Sequence, residues 1–442
     1  MKSDDVADVA IVGGGASGTI LAAQLARRGI RTLLIDGSGR MGRGVAYSTM
    51  EPAHLLNVRA EGMSAWAGEP SHFAERFERE GGDRKGFAER RLFGRYLGEI
   101  LEQAVATGSL TCVAEQAVGA ERSAGAWRLG LDDGSERLAR GLVLAIGNQE
   151  PERLRAFDGA GARFVANPWG ADAQAAISDL VDSGKDVLLI GTGLTMVDVV
   201  LSLHARGYQG RISALSRRGL VPRAHADAQP APAALDEIPL GNLRTLTRWL
   251  RRRSGEVGWR AAVDGLRPHS HALWQSFDDV QQRRFLRHAR PWWDVHRHRI
   301  APEVARTIAG MIAGDQLQVS AAKISQVAAR ADGLEVTVRR RGADRNEIFS
   351  VAYAFNCTGP LHSIRRSNDP LLKALLDAGQ IAADPLGIGI AVDGRSRASG
   401  GERLWAMGPL TKGRYWEIVA VPDIREQAAA VADDIEQELG SE

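Results

Sequence analysis

The stretch "DVAIVGGGASGTILAAQLARRGIRTLLIDG", Asp8 to Gly37, decides the fold. A short β-branched run from Val9 to Val12 leads into "GGGASG". An apolar-periodic helix over Thr19 to Arg28 follows and is stopped by Gly29; "RTLLID" reads as the next strand. Strand, glycine turn, helix and strand in that order give Gly13, Gly15 and Gly18 distinct tasks. The first permits the tight turn, the second lets backbone approach a pyrophosphate, and the third allows close helix–strand contact. The helix N-terminus adds free N–H groups and a partial positive charge. Asp36 lies 23 residues after Gly13 (36 − 13), at the end of the second strand, where a carboxylate can accept hydrogen bonds from a ribose diol.

The same order recurs in "DVLLIGTGLTMVDVVLSLHARGYQGRISALSRRGL", Asp186 to Leu220. Here the pattern is Gly191-x-Gly193-x-x-Met196, with Leu194 and Thr195 opening the helix and Asp198 two residues past the methionine. A side chain at the third glycine position predicts a helix pushed slightly off its strand. Ser216 falls 25 residues after Gly191 (216 − 191), followed by Arg217 and Arg218. A hydroxyl and two guanidiniums suit a 2′-phosphate, because arginine binds phosphate through parallel charge-assisted bonds. That reading gives NADPH rather than NADH; the other reading is a solvated basic turn. The apolar runs in both units are continuous, as in parallel sheets buried on both faces.

A weaker repeat supports two units. Ser109–Asn148 and Asp315–Gly359 each read as short strands followed by an apolar strand, ending in Ala-Ile-Gly147 or Cys-Thr-Gly359. The expected fold class is α/β, with two interleaved Rossmann-like dinucleotide-binding domains and a helical insertion. The first part of an FAD-binding domain is expected over 1–165, and an NADPH-binding domain over 166–354. The helical insertion, rich in Arg and Trp, falls at about 227–314, and the second part of the FAD-binding domain over 355–442. The chain has 442 residues, and its 56 basic against 54 acidic side chains leave a net charge of +2. Such a balance points away from nucleic acid and membrane surfaces. No signal peptide or membrane-length apolar segment is visible. Two cysteines, Cys112 and Cys357, form no CxxC, which fits a reducing cytoplasm and excludes a dithiol outlet.

FAD suits the first unit, because its closing strand, "LVLAIGN", comes late. The flavin then runs under the loop after Asp36, with Arg43, Tyr47 and Asn57 either nearest to it or anchoring the loop. Gly408-Pro409-Leu410, ahead of the last helix, belongs over the flavin ring. In "RHARPWWDVHRHRIAPE", Trp292 and Trp293 are expected to pack the insertion onto the flavin domain. His296 or Arg297 faces substrate or serves packing, with His225 a further candidate of the same kind. His296 and His298 lack further ligands, so no metal is expected.

These residues carry a resemblance. The chain resembles the two-dinucleotide-binding flavoproteins. Within them it is similar to a bacterial FAD/NAD(P)-binding family that includes the nitrosuccinate-forming aspartate N-oxygenases. The matching segments include "GRGVAYSTMEPAHLLNV", "GTGLTMVD", "SRRGLVPRAH", "RPWWDVHRHRIAPE", "FNCTGP" and "GPLTKGRYWEIVAVPDIREQ". The resemblance implies FAD and NAD(P) binding. Without a CxxC or an iron–sulfur cysteine set, reduced flavin must meet oxygen or a small organic acceptor. The expectation is an NADPH-consuming monooxygenase acting through a flavin C4a-hydroperoxide on a small amine, amino acid or sulfur compound. By analogy with other flavin monooxygenases, Asn57 is the donor near the peroxide. The alternatives are an NADPH-dependent flavin reductase or dehydrogenase and a non-catalytic FAD-holding redox sensor.

Overall fold

In the computed structural model, which describes residues 6–361 and 363–440, the chain builds two sheets. The first contains β1 (Val6–Val12), β2 (Thr32–Ile35), β3 (Leu110–Val113), β4 (Ala117–Ser123), β5 (Ala126–Leu131) and β6 (Glu136–Leu144), in the order β3-β2-β1-β6-β5-β4. The second contains β7 (Phe164–Val165), β8 (Val187–Ile190), β9 (Ile212–Ser216), β10 (Leu317–Arg330), β11 (Gly333–Arg340), β12 (Glu347–Val351) and β13 (Tyr353–Asn356). Its order is β12-β11-β10-β9-β8-β13-β7. A last strand, β14 (Leu404–Ala406), returns to the first sheet and pairs in parallel with the end of β6. The chain therefore leaves the first unit, builds the second, and comes back.

Both sheets follow one plan. β1, β2 and β3 pair in parallel, β4 to β6 fold as an antiparallel meander, and β6 then runs parallel to β1. In the second sheet β8, β9 and the start of β10 are parallel, the rest of β10 turns antiparallel with β11 and β12, and β13 closes beside β8. Val9 to Ile11 and Val187 to Leu189 are wholly buried, which is why these runs are apolar without alternation. At each glycine turn the first glycine has a positive φ, +105° at Gly13 and +116° at Gly191. Each presses on the carbonyl just past the closing strand, that of Ala145 or Cys357, so only glycine fits.

The units differ at the third glycine. A Cβ on Gly18 would collide with the Gly13 carbonyl. Met196 carries a whole side chain there and is fully buried in the second core, among Val187, Leu189 and Val200. The second helix, Leu194–Ala205, thus carries a buried side chain where Ala16–Arg27 has a glycine.

The segment after β9 carries the helices Leu243–Val257, Trp259–Gly265, Ser270–Ser276, Asp279–Arg284 and Arg290–Arg297, with a π turn over Phe285–Ala289. The next helix, Pro302–Ala313, is different: Val304, Ile308 and Met311 belong to the second core, so it serves as the crossover to β10. The insertion proper leans instead on the returning C-terminal segment. Trp274, Phe277, Phe285 and Trp293 cluster with Trp416, Leu386 and Ile388. The Trp274 and Trp416 rings stack at 4.8 Å, and Trp274 Nε1 donates to the Gly413 carbonyl at 2.8 Å. Trp293 thus packs as expected, whereas Trp292 is 46% exposed.

A buried ion pair joins the two units. Arg90, at the start of the helix Arg90–Ala106, donates to both Asp198 carboxylate oxygens at 2.9 and 3.0 Å. The arginine is 9% exposed and the aspartate 5%. His54 donates from Nε2 to the Asp198 carbonyl at 2.9 Å, and its Nδ1 accepts from the Thr49 hydroxyl at 2.9 Å. Removing one partner of such a pair strands a buried charge, at a cost of about 3–5 kcal/mol. Arg90→Ala should lower the unfolding free energy by that amount in denaturant titrations. An Arg90→Met, Asp198→Leu double variant should recover most of it; a loss below about 1 kcal/mol for the single variant would mean the pair is effectively solvated.

Candidate functional site

The two glycine turns lead into matched helix starts without side-chain caps. Gly15 and Gly193 cap their helices without any side-chain hydrogen bond, and neither first turn carries an acidic residue. Asn242, Asp278 and Asp369 cap their helices with a side-chain oxygen, whereas other helices, such as Arg90–Ala106 and Ala171–Ser183, are also without a side-chain cap. Bare helix N-termini leave N–H groups and positive dipole ends for an anion. A Cβ built on Gly147, Gly193 or Gly359 meets nothing within 4 Å, so backbone at these points stays open to a ligand. This arrangement fits a phosphate-bearing dinucleotide at each turn.

Asp36 sits at the end of β2, where Oδ2 accepts from the Gly14 N–H at 2.6 Å and Oδ1 from the Ser38 N–H at 2.7 Å. These bonds fix the carboxylate beside the glycine turn. At the matching place in the second unit Ser216 is occupied differently. Its hydroxyl accepts from the Gly219 N–H and from Thr192, both at 2.9 Å, which shapes the turn that presents the arginines. Arg217 is exposed. Arg218 donates to the His288 carbonyl at 3.2 Å and lies 5.9 Å from the Trp292 ring centre, so the insertion's π turn holds it.

In the loop after Asp36, Arg43 is exposed and opens the short helix Gly44–Tyr47. Tyr47 packs edge-on to Phe93 at 4.7 Å, and burial pushes its phenol up to about 12. The Asn57 carbonyl accepts from His225 Nε2 at 2.9 Å, which brings two of the sequence candidates together. Burial pushes His225 down to about 4, the carbonyl bond partly offsetting it and Arg299 and Arg59 adding to it. Gly408-Pro409-Leu410 is buried over the first helix: the Gly408 N–H donates to Gln427 Oε1 at 2.8 Å, and a side chain at 408 would meet Ser17.

Two candidates read as substrate-facing have protein partners. Arg297 Nε donates to Glu417 Oε2 at 2.9 Å, with the side chains 11% and 4% exposed. Its guanidinium holds the protein's own carboxylate, which Trp293 also contacts. His296 donates from Nδ1 to the Trp292 carbonyl at 2.7 Å and stands edge-on to Trp259 at 4.9 Å. His298 lies 3.9 Å from Asp294, and among the described residues no group of three metal-ligating side chains is assembled. Sequence reading missed Lys412, right after the Gly408–Thr411 turn. Its Nζ donates to Asn148 Oδ1 at 3.1 Å, and burial with Arg290 nearby pushes it down to about 8. Its place beside Gly408-Pro409-Leu410 in "GPLTKG" was the available signal.

The fold is that of a chain with two dinucleotide-binding units. Residues 10–149 match the family model described as FAD-NAD(P)-binding, so the N-terminal third carries such a domain. No curated protein matches the chain in sequence. The reduced form of ornithine hydroxylase (PvdA) from Pseudomonas aeruginosa matches with a TM-score of 0.67 at 18% identity, covering 98% of this chain and 100% of that one. L-lysine 6-monooxygenase from Pseudomonas syringae matches at 0.68 and 18% over 98% and 99% of the two chains. Ornithine N-hydroxylase KtzI from Kutzneria sp. 744, solved with reduced FAD, NADP+ and L-ornithine, matches at 0.67 and 15% over 98% and 100%. At these identities the likeness establishes a shared fold over nearly the full length of the chain. No helix among the described residues is long and apolar enough to cross a membrane.

The depressed His225 gives a pH prediction. A histidine held neutral in the folded state costs stability once the unfolded chain takes up its proton. Stability should therefore fall as pH drops from the ordinary value of 6.5 toward about 4. His225→Gln should flatten that part of the stability–pH curve, measured by thermal melting; an unchanged curve would remove His225 as its source.

Proposed function

We propose that this chain is an FAD-dependent, NADPH-consuming monooxygenase of the cytoplasm, acting with molecular oxygen on a small amine, amino acid or sulfur compound. The observation that carries the reading is the pair of bare helix N-termini, one per unit, held in a fixed relation by the buried Arg90–Asp198 pair. Among the neighbours that share the fold over nearly the full length, the ornithine and lysine hydroxylases support the oxygen-transfer class. The cysteines support it too, since Cys112 is exposed and Cys357 buried, with burial raising its thiol. No dithiol therefore offers an outlet for electrons.

FAD, when bound, accepts hydride from NADPH and supplies the chemistry that activates oxygen. Gly13, Gly15 and Gly18 would hold its pyrophosphate and Asp36 its ribose. Arg43, Tyr47, Asn57, Gly147 and Gly408-Pro409-Leu410 would enclose the rest. Gly191, Gly193, Leu194, Thr195 and Gly359 would take the NADPH pyrophosphate, with Ser216 shaping the turn for Arg217 and Arg218. The insertion, clasped onto the C-terminal return by Trp274 and Trp416, would exclude water from the space between the cofactors. Asn57 would offer its side chain to the reacting region, its backbone carbonyl being held by His225.

Anaerobic stopped-flow should show rapid flavin reduction by NADPH, and aerobic turnover with substrate should give oxygenated product in step with NADPH consumed. Reduction without any oxygenated amine, amino acid or thioether would favour the reductase. An Arg217→Ala, Arg218→Ala variant should raise the KM for NADPH by about tenfold or more, one charge-assisted bond being worth about 1.5–3 kcal/mol. The KM for NADH should stay unchanged; equal KM values for NADPH in variant and parent would rule out the 2′-phosphate assignment.

A further inference from the structure

A polar region between the insertion and the C-terminal return lies beyond the cofactor assignments, apart from Asn57 at its edge. It starts at Asn57 and His225, passes Arg299 and Asp264, and ends among Arg267, Ser270, Arg297, Glu417 and Asp423. Two of its ion pairs are closed. Arg297 is bonded to Glu417 at 2.9 Å, and Arg299 is bonded to Asp264. The third is open. Arg267 Nη2 stands 3.8 Å from Asp423 Oδ2, beyond hydrogen-bond reach, and that carboxylate oxygen is buried with no hydrogen-bond partner among the described residues. The Ser270 hydroxyl, three positions along from Arg267, is equally buried and equally unpartnered. The Arg267 and Asp423 side chains keep access, at 36% and 25% exposure.

Buried polar groups are normally satisfied, because leaving one bare is costly. A loose guanidinium–carboxylate pair is therefore suited to groups that come from outside, and Ser270, three positions on in the chain, carries a further unpartnered hydroxyl. Burial reinforces this, raising the Asp423 carboxyl and, with Arg297, lowering Arg267. We propose that Arg267, Asp423 and Ser270 form the recognition subsite for a zwitterionic substrate of the α-amino acid type. Arg267 takes the carboxylate through its two-pronged fork, Asp423 takes the ammonium, and Ser270 completes either contact. The proposal rests on the function proposed above and narrows it, from amines and sulfur compounds in general to ligands that carry both charges.

The test uses the FAD-loaded full chain, titrated by calorimetry and by flavin difference spectra. The probes are the standard L-amino acids and L-ornithine at millimolar concentration, each beside its decarboxylated amine and its des-amino acid. At least one amino acid should bind, and both of its truncated analogues should bind at least about tenfold more weakly, the loss of one charged contact. Arg267→Ala and Asp423→Asn should each weaken it by a similar factor, with FAD content, melting temperature and the KM for NADPH unchanged. Arg267→Lys should restore only part, since it keeps the charge and loses the fork. If Arg267→Ala loses FAD, Ser270→Ala takes its place and should weaken binding at least about threefold. Failure of every amino acid to bind, equal binding of the decarboxylated amine, or unchanged affinity in these variants overturns the subsite. Flavin reduction by NADPH separates the two proposals. Fast reduction with no zwitterion bound overturns the subsite alone; zwitterion binding without reduction overturns the enzymatic function and supports the subsite.

Discussion

The relation between the two dinucleotide units is anchored by a buried contact, the bidentate pair of Arg90 and Asp198. Each unit has its own sheet and core, and each could bind a nucleotide by itself. Transfer of hydride between two nucleotides additionally needs their reacting ends held together, which is a requirement on the units' mutual orientation. A two-pronged charge pair resists rotation in a way that apolar contact does not. Its setting constrains the neighbours. His54 sits against the Asp198 backbone, and burial lowers its basicity, with Arg90 adding to that effect. The Asp198 carboxylate partly offsets that lowering, and the imidazole bridges Thr49 and Asp198.

The insertion extends this logic to the far side of the cleft. It leaves the second sheet after β9 but rests on the segment that follows β14 in the first unit, through Trp274, Phe285 and Trp416. The Arg218–His288 bond links that insertion to the turn proposed for the 2′-phosphate. The π turn that holds Arg218 runs directly into the helix Arg290–Arg297, which carries Trp293 and Arg297.

What the sequence made legible is local. Strand, turn and helix follow from glycine spacing and apolar runs, and Gly13 and Gly191 behave alike because both must clear a carbonyl just past a closing strand. The interleaving was also legible, from two late apolar strands with the same ending. The partners of charged groups were not, because they are set by segments far apart in the chain. Arg297 reads as a free clamp until the fold places Glu417, 120 residues on, against it. Arg267 and Asp423 draw no notice in the sequence; only the fold shows that they face each other without bonding. Ser216 shows the limit even within a motif. Its spacing is that of a ligand-binding position, yet its hydroxyl is spent on Thr192 and Gly219.

The methionine that breaks the second glycine pattern finds its reason in the same contact that orders the units. Met196 and Asp198 lie on one helix, about 200° apart around its axis. The methionine is buried in the second core, and its bulk keeps the helix from settling onto the strand as Gly18 allows in the first unit. The same helix that buries Met196 in the second core presents its opposite face, with Asp198, toward the first unit and Arg90. A glycine at 196 would let the helix sink toward its strand and draw the carboxylate away from its partner. The close approach lost behind the turn does not affect the ligand side, where Gly193 remains open. The departure therefore keeps the nucleotide turn intact while using the back of the same helix to fix the second unit against the first.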